Sequence, residues 1–417
     1  MPTLAAGAER EPVVLLPGLT GTVLGDPDTG RIVWGKGNRL LWPRDGGYGA
    51  ALPIDGGDHA GGRLAATAAL QYLRLLGLYR FDVYAPVTRL MEANGYQVGD
   101  LRRPRPDDTF FYFVYDWRRD TVELAHQLLD ELEGLRRARG EETLRVNLVA
   151  QSGAARIARY LIRYGDAALE EAEGGRGGPP QDIDVERLVL VGAPNGGAVR
   201  TLKLLLRGRR YLPLGRQFQP EVFLTFPSLI QDLPAPGEEV LVDAGGRPLA
   251  ADLYDPATWQ RFGWGFHDAE VRHRLASRRS TEVFGDMETR ERYMATQLAR
   301  SRRLHELLSQ EPRNMPDVAY YAIESGHETT PTRAVVVEDD SGWCTRFHGD
   351  RKLRDDPYLS LLTAAPGDGH ATLESQEALP AAEASLLAAP PVFAEDRHFR
   401  MILDPGVQRR LLEFLAD

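Results

Sequence analysis

VNLVAQSGAARIARYL, residues 146 to 161, reads as an apolar strand, an abrupt turn around a serine, and then a helix. The strand ends at Ala150, and Ser152 sits on the bend. Small residues at Ala150, Gly153 and Ala154 allow strand and helix to pass close together, so that the bend pushes the Ser152 side chain outward above the sheet edge. This is the shape of a turn that presents a nucleophile. The usual pattern is G-x-S-x-G, whereas this chain has A-Q-S-G-A, and a serine between a strand and a helix is equally an ordinary N-cap. Both readings stay open on this stretch alone.

Working outward, the same rhythm recurs on both sides. Upstream, PVVLLPGLTGT at 12–22 is a short apolar strand that stops at Pro17-Gly18 and opens into a glycine-containing loop. The Leu19 N–H in that loop is either one arm of an oxyanion hole or part of a simple strand-exit turn. TFFYFVY at 109–115 predicts a strand, and residues 119–139 predict a long amphipathic helix. Downstream, strands are predicted in VERLVLVGAP (185–194), DVAYYAIES (317–325) and PPVFAEDRHF (390–399), before a closing helix from Asp404 to Leu415. Strand and helix alternation of this kind predicts a mostly parallel, doubly wound α/β sheet.

Three stretches depart from the rhythm. Residues 25–62 are rich in Gly, Pro and Asp and predict an irregular excursion ordered by Trp34, Trp42 and Tyr48. Residues 63–95 predict mainly helix, ending at Asn94-Gly95. Between 199 and 315 lie helices and loops that break the alternation, which divides the chain into a core at 1–198, an inserted cap or lid at 199–315, and the rest of the core at 316–417. In the cap, TLKLLLRGRRYLPLG at 201–215 sets leucines among Lys203, Arg207, Arg209 and Arg210, which suits either a peripheral membrane contact or a cap helix with a solvated basic face. Helical periodicity near 290–308 packs the cap on the body. A hairpin is expected at 333–349, and a turn carrying Asp368 at 366–375.

Composition narrows the function. With 50 basic and 60 acidic residues the net charge is −10, which argues against nucleic acid or an anionic membrane as a general partner. The 43% hydrophobic content is that of a globular protein, and no run of about 18 apolar residues is present. The first residues lack a basic start followed by an apolar stretch, so no secretion signal and a cytoplasmic location are expected. Cys344 is the only cysteine, which rules out an internal disulfide and a cysteine-based metal site; it is expected to be buried. No nucleotide-binding glycine fingerprint occurs, and neither a metal nor an organic cofactor is called for.

A serine nucleophile needs a base within reach and an acid to orient that base. In α/β hydrolases the chain order is Ser, Asp or Glu, then His, and Ser152, Asp368 and His398 fit it. His370 is a rival base, but it stands two residues from Asp368 on one tight turn and so points away from its supposed partner. His267, His273 and His327 are read as structural. Asp368 itself is alternatively a plain turn residue.

PVVLLPGLTGT, YRFDVYAPVTRLMEANGY, YDWR (115–118), the serine turn, VGAPNGG, TFPSLIQDLP (225–234), GDGHATLES and DRHFRMILDP follow one another along the chain. In this order they resemble the lecithin:cholesterol acyltransferase-like family of α/β-hydrolase lipases, phospholipases and acyltransferases. The resemblance implies an α/β-hydrolase fold, with the nucleophile at Ser152, the acid at Asp368, the base at His398 and oxyanion amides at Leu19 and Gly153. It places Trp117 at the acyl pocket, with Gln151 as a further substrate contact. The lid and acyl-binding features fall in the excursion after Thr22 and in the cap.

The chain departs from that pattern in the alanines of the serine turn, in His370 where threonine is usual, and in lacking the disulfides of secreted animal members. The alanines are compatible with the turn if their φ angles stay negative. The expected activity is hydrolysis or transfer of an acyl group held in ester linkage on a lipid or other hydrophobic substrate. An inactive hydrolase fold used as a scaffold is the alternative, and a serine peptidase a more remote one.

Overall fold

The computed structural model describes residues 10–37, 43, 45–55, 61–75, 79–211, 215–276, 283–314, 317–340 and 342–416. The stretch before residue 10, Trp42 and Leu214 lie outside these, and so do the readings placed on them.

Seven strands form the central sheet: β1 Val13–Leu16, β2 Val98–Asp100, β3 Phe110–Tyr112, β4 Leu144–Gln151, β5 Ile183–Val191, β6 Ala319–Glu324 and β7 Val392–Phe393. Their order across the sheet is β7-β6-β5-β4-β1-β3-β2, and every neighbouring pair is parallel. The sheet grows outward in both directions from β1 and β4, whose register sets Val13 beside Asn147 and Leu16 beside Ala150.

Parallel strands of this kind must be covered on both faces, and the side-chain alternation shows how. Val14, Leu16, Val146, Leu148 and Ala150 face one way, against Leu124, Leu128 and Leu132 of α2 (Thr121–Arg139) and Ile157 and Leu161 of α3 (Ala154–Tyr164). Val13, Leu15, Val149, Val189 and Ile323 face the other. They pack there with Val87 and Met91 of α1 (Ala85–Ala93) and Val407 and Leu411 of the last helix, Pro405–Phe414.

The segment after Gly197 shares the first of these cores. Its helices α4 (Val199–Arg207) and α5 (Met287–Ser309) contribute Leu202, Leu205, Leu298 and Leu304 to the cluster that holds Leu148 and Leu161. The basic residues of α4 are engaged within the protein: Arg207 makes a bidentate pair with Asp350, Lys203 lies 3.8 Å from the same carboxylate, and both cations sit over the Phe347 ring.

Three sequence expectations need correction. Of the stretch predicted as helix, the described residues between 65 and 82 form strands rather than helix. Ala65–Ala69 pairs antiparallel with Thr22–Gly25, which also pairs with Ile32–Trp34, and Tyr72–Leu75 pairs with Tyr79–Asp82 in a separate ribbon. Helix begins only at Ala85 and ends, as expected, before Asn94-Gly95. Alanine is the best helix former, but that preference is a fraction of a kcal/mol per residue, and a ladder that buries Ala66 and Ala69 outweighs it. Second, part of the 25–62 excursion is therefore regular, because Ile32–Trp34 completes a small three-stranded sheet. Third, Cys344 is half-buried, because it lies on a partly exposed strand of the expected hairpin, opposite Val337.

Candidate active site

The C-terminal ends of β1, β4, β5 and β7 converge on one edge of the sheet. Ser152 follows β4 directly and has φ 58, in the left-handed region that ordinary residues avoid at a cost of about 1–2 kcal/mol. The chain accepts that strain because the turn is held on all sides. The Ser152 N–H donates to the Val191 carbonyl at the end of β5, at 2.9 Å, and the amides of Ala155 and Arg156 close the turn onto the carbonyls of Ser152 and Gly153. Ala150 and Ala154 are absent from the positive-φ residues, so the condition under which alanine suits these positions is met. Gly18 approaches so closely that a Cβ there would lie 3.0 Å from the Ser152 Cβ.

From this turn a hydrogen-bonded relay runs through the candidate residues. Ser152 Oγ lies 2.7 Å from His398 Nε2, and His398 Nδ1 lies 2.6 Å from Asp368 Oδ2. Asp368 Oδ1 accepts the amides of His370 and Ala371, each at 2.8 Å, and the Asp368 carbonyl accepts the His398 amide. With the carboxylate facing Nδ1, that nitrogen carries the proton and Nε2 is free to accept from the serine hydroxyl. The Asp368 side chain is fully buried. Burial pushes its carboxyl up, but the charge and hydrogen bond of His398 outweigh this and hold it below the usual range. Burial likewise pushes His398 down, while the charge and hydrogen bond of Asp368, aided by Asp232, leave it raised. Asp368 follows the short ribbon strand Ala364–Gly367, which pairs with Glu328–Pro331 outside the main sheet, rather than β6 itself.

The remaining expected residues surround this relay. Leu19 and Gly153 adjoin each other, since a Cβ on Gly153 would lie 3.3 Å from Leu19 Cγ, and neither amide donates to another described residue. Gln151 is buried, and its carboxamide oxygen accepts the Tyr84 hydroxyl at 2.6 Å. Trp117 is 1% exposed and packs edge-on to Trp34 and Phe226, its indole N–H lacking a partner among the described residues. His370 does face away from Asp368 and toward Asp232, at 3.0 Å from its Oδ2.

Two participants were not singled out from sequence. Tyr84 accepts the Gly18 N–H at 3.0 Å while donating to Gln151, so it ties the loop after β1 to the end of β4. In sequence it is one residue of the stretch 63–95 that predicts mainly helix. Asp232, within the quoted TFPSLIQDLP stretch, accepts from Arg156 at 2.7 Å and Thr201 at 2.5 Å and is fully buried. Nothing in local periodicity marks either one.

Comparison with solved structures bears on this architecture. One chain of the crystal structure of the Tle4–Tli4 complex matches with a TM-score of 0.62, covering 98% of this chain and 98% of its own, at 13% sequence identity. This is an α/β-hydrolase fold. In sequence, the chain matches no protein-family model and no curated protein, so the likeness to a particular lipase family rests on the quoted motifs alone. Within the α/β-hydrolase fold, the edge where Ser152, Asp368 and His398 meet is the edge at which such sheets carry their sites. Among the described residues no cluster of His, Cys, Asp and Glu is arranged to hold a metal ion, and no helix is long and apolar enough to cross a membrane.

Proposed function

We propose that the protein is a serine hydrolase or acyltransferase that cleaves or transfers the acyl group of a lipid or other hydrophobic ester. The observation that carries this reading is the continuous relay from Ser152 Oγ through both nitrogens of His398 to the buried Asp368, at 2.7 and 2.6 Å, beginning at a serine with positive φ. A purely structural N-cap needs neither the strained backbone nor an imidazole on its hydroxyl.

In the proposed mechanism Ser152 Oγ attacks the ester carbonyl as its proton passes to His398 Nε2. The Leu19 and Gly153 amides hold the tetrahedral oxyanion, with the N-terminus of α3 behind Gly153 adding positive potential. The intermediate collapses when His398 returns the proton to the leaving alcohol, which leaves the acyl group on Ser152. Water or an acceptor alcohol, deprotonated by His398, then opens the acyl-enzyme. Asp368 keeps the imidazole in the required tautomer and stabilises it when charged.

The preference for hydrophobic esters is supported by what backs the loop after β1. Trp34 donates its indole N–H to the Thr20 carbonyl and packs against Trp117, Tyr211 and Phe218, so the oxyanion side of the site rests on aromatic surface. The segment 199–315 then acts as the cap over an acyl chain. Labelling with a fluorophosphonate probe tests the chemistry: the wild type labels at Ser152 and Ser152→Ala does not. A panel of esters of graded acyl length, with and without an acceptor alcohol, tests the substrate class, and no turnover of any ester by protein that labels would reject it.

A further inference from the structure

The proposed relay uses one histidine and one carboxylate, yet a second pair lies against it. The His370 and His398 rings are 4.6 Å apart between centroids and inclined at 37°. Because Asp232 is an acceptor, His370 carries its proton on Nε2 and donates it to Oδ2 at 3.0 Å. Asp232 is itself fixed by three donors from three parts of the chain: His370 on the acid turn, Thr201 Oγ1 at 2.5 Å on α4, and Arg156 at 2.7 Å on α3. The His370 backbone also donates to Asp368 Oδ1, so this residue touches both the acid and the ring of the base.

We propose that Asp232 and His370 form a second His–Asp unit whose task is to position the first. It rests on the serine-hydrolase reading above. The His370 ring seats the imidazole of His398 so that its Nε2 stays in line with Ser152 Oγ. Asp232 places a second negative charge behind that imidazole, which matters at the moment His398 becomes an imidazolium. Other charged groups bear on the pair. Arg156 neutralises Asp232 in part. Arg200 on α4, whose guanidinium donates to the Gly369 carbonyl, opposes protonation of His398, and Arg397 next to His398 is paired with Glu328. Burial lowers the pKa of His370, the opposing pull of Asp232 notwithstanding. Its Nε2 is turned to Asp232, while the Ser152 hydroxyl is met by His398, so it is a positioning residue and not a second base.

The test uses the full-length protein and reads the rate of fluorophosphonate labelling at Ser152 as a function of pH, which needs no knowledge of the substrate. His370→Ala lowers the plateau rate about tenfold, as small misplacements of a reacting group do. His370→Phe, with a flat ring in the same place, restores most of that loss. In Asp232→Asn the acid limb moves to lower pH, because His398 loses one of its two carboxylates. If this variant does not fold, with Arg156 left facing a neutral amide, the two His370 variants still decide the matter. A folded His370→Ala that labels within about twofold of wild type overturns the proposal, and so does a loss that Phe does not restore. Absence of labelling in the wild type would refute the serine-hydrolase reading instead, so the two failures are distinct.

Discussion

The two halves of the relay are held by different means. Ser152 is placed by backbone: a parallel strand, a strained turn and the start of α3, all close to it in the chain, together with the Val191 carbonyl. Asp368 and His398 are placed by side chains and loops drawn from β5, β7, the acid turn and the segment that contains Asp232. The serine side is a local structure that the sheet stiffens. The Asp368–His398 side exists only once the whole chain has folded.

That contrast breaks most sharply at Ser152 itself. Ser152→Ala is expected to fold as the wild type does, because its backbone contacts remain, and to lose ester turnover by a factor on the order of 10⁴ or more. A folded variant that kept a tenth of the activity would remove the nucleophile from this turn. On the other side, Asp368→Asn leaves the hydrogen-bonding shape while favouring the wrong His398 tautomer, and should lower kcat by about 10⁴. His398→Ala is expected to match it, far exceeding His370→Ala.

A milder probe is pH. His398 must be neutral to accept the serine proton, and its pKa is raised above the ordinary 6.5 by Asp368 and Asp232 against the effect of burial. The rate of Ser152 labelling should therefore fall tenfold per pH unit below a bend lying above 6.5. The stability linked to His398 runs the other way: it is fully present below the unfolded pKa and lost as pH rises through the folded one. A bend at or below 6.5 would mean that the carboxylates do not govern the base.

Gly192 is where the two halves meet. It follows β5 with φ 56, and a Cβ there would lie 2.7 Å from Met401 Cε, 3.3 Å from Asp368 Oδ2 and 3.4 Å from His398 Nδ1. Gly192→Ala should lower stability by about 1–2 kcal/mol through the positive φ and turnover several-fold through the displaced loops. Thermal melts and kinetics measured together separate these effects, and unchanged turnover would show that the acid–base loops tolerate a push.

The smallest effect is expected in the cap. Leu205 is core, but Leu204 and Leu206 are half-buried, so replacing these two with serine tests chain selection without emptying the interior. Activity on long-chain esters should fall by at most about 1 kcal/mol per side chain, with acetate esters little affected. Equal losses on both would leave this helix as structural cover.

Much of this was readable in advance. The alternation of apolar strands with amphipathic helices foretold the parallel sheet, because strands buried on both faces must be continuously apolar. The serine turn was legible because its strain is local and only small neighbours permit it. The helix expected over 63–95 failed in its first part because alanine's helix preference, though the highest of any residue, is small per residue, and pairing with Thr22–Gly25 decided the conformation of Ala65–Ala69. Tyr84 and Asp232 were invisible for a related reason: a tyrosine or aspartate looks alike in sequence whether it faces water or a buried partner 67 or 138 residues away.

By itself, then, the sequence determined the alternation of most main-sheet strands with their covering helices, the bend at Ser152 and the chain order of serine, aspartate and histidine. Local sterics and hydrophobic periodicity act over a few residues and need no partner. Only the tertiary structure decided that His370 turns to Asp232 and that Tyr84 joins the two loops. Those choices depend on hydrogen bonds between residues far apart in the chain, which gain their strength from burial that exists only after the sheet and its cover have closed.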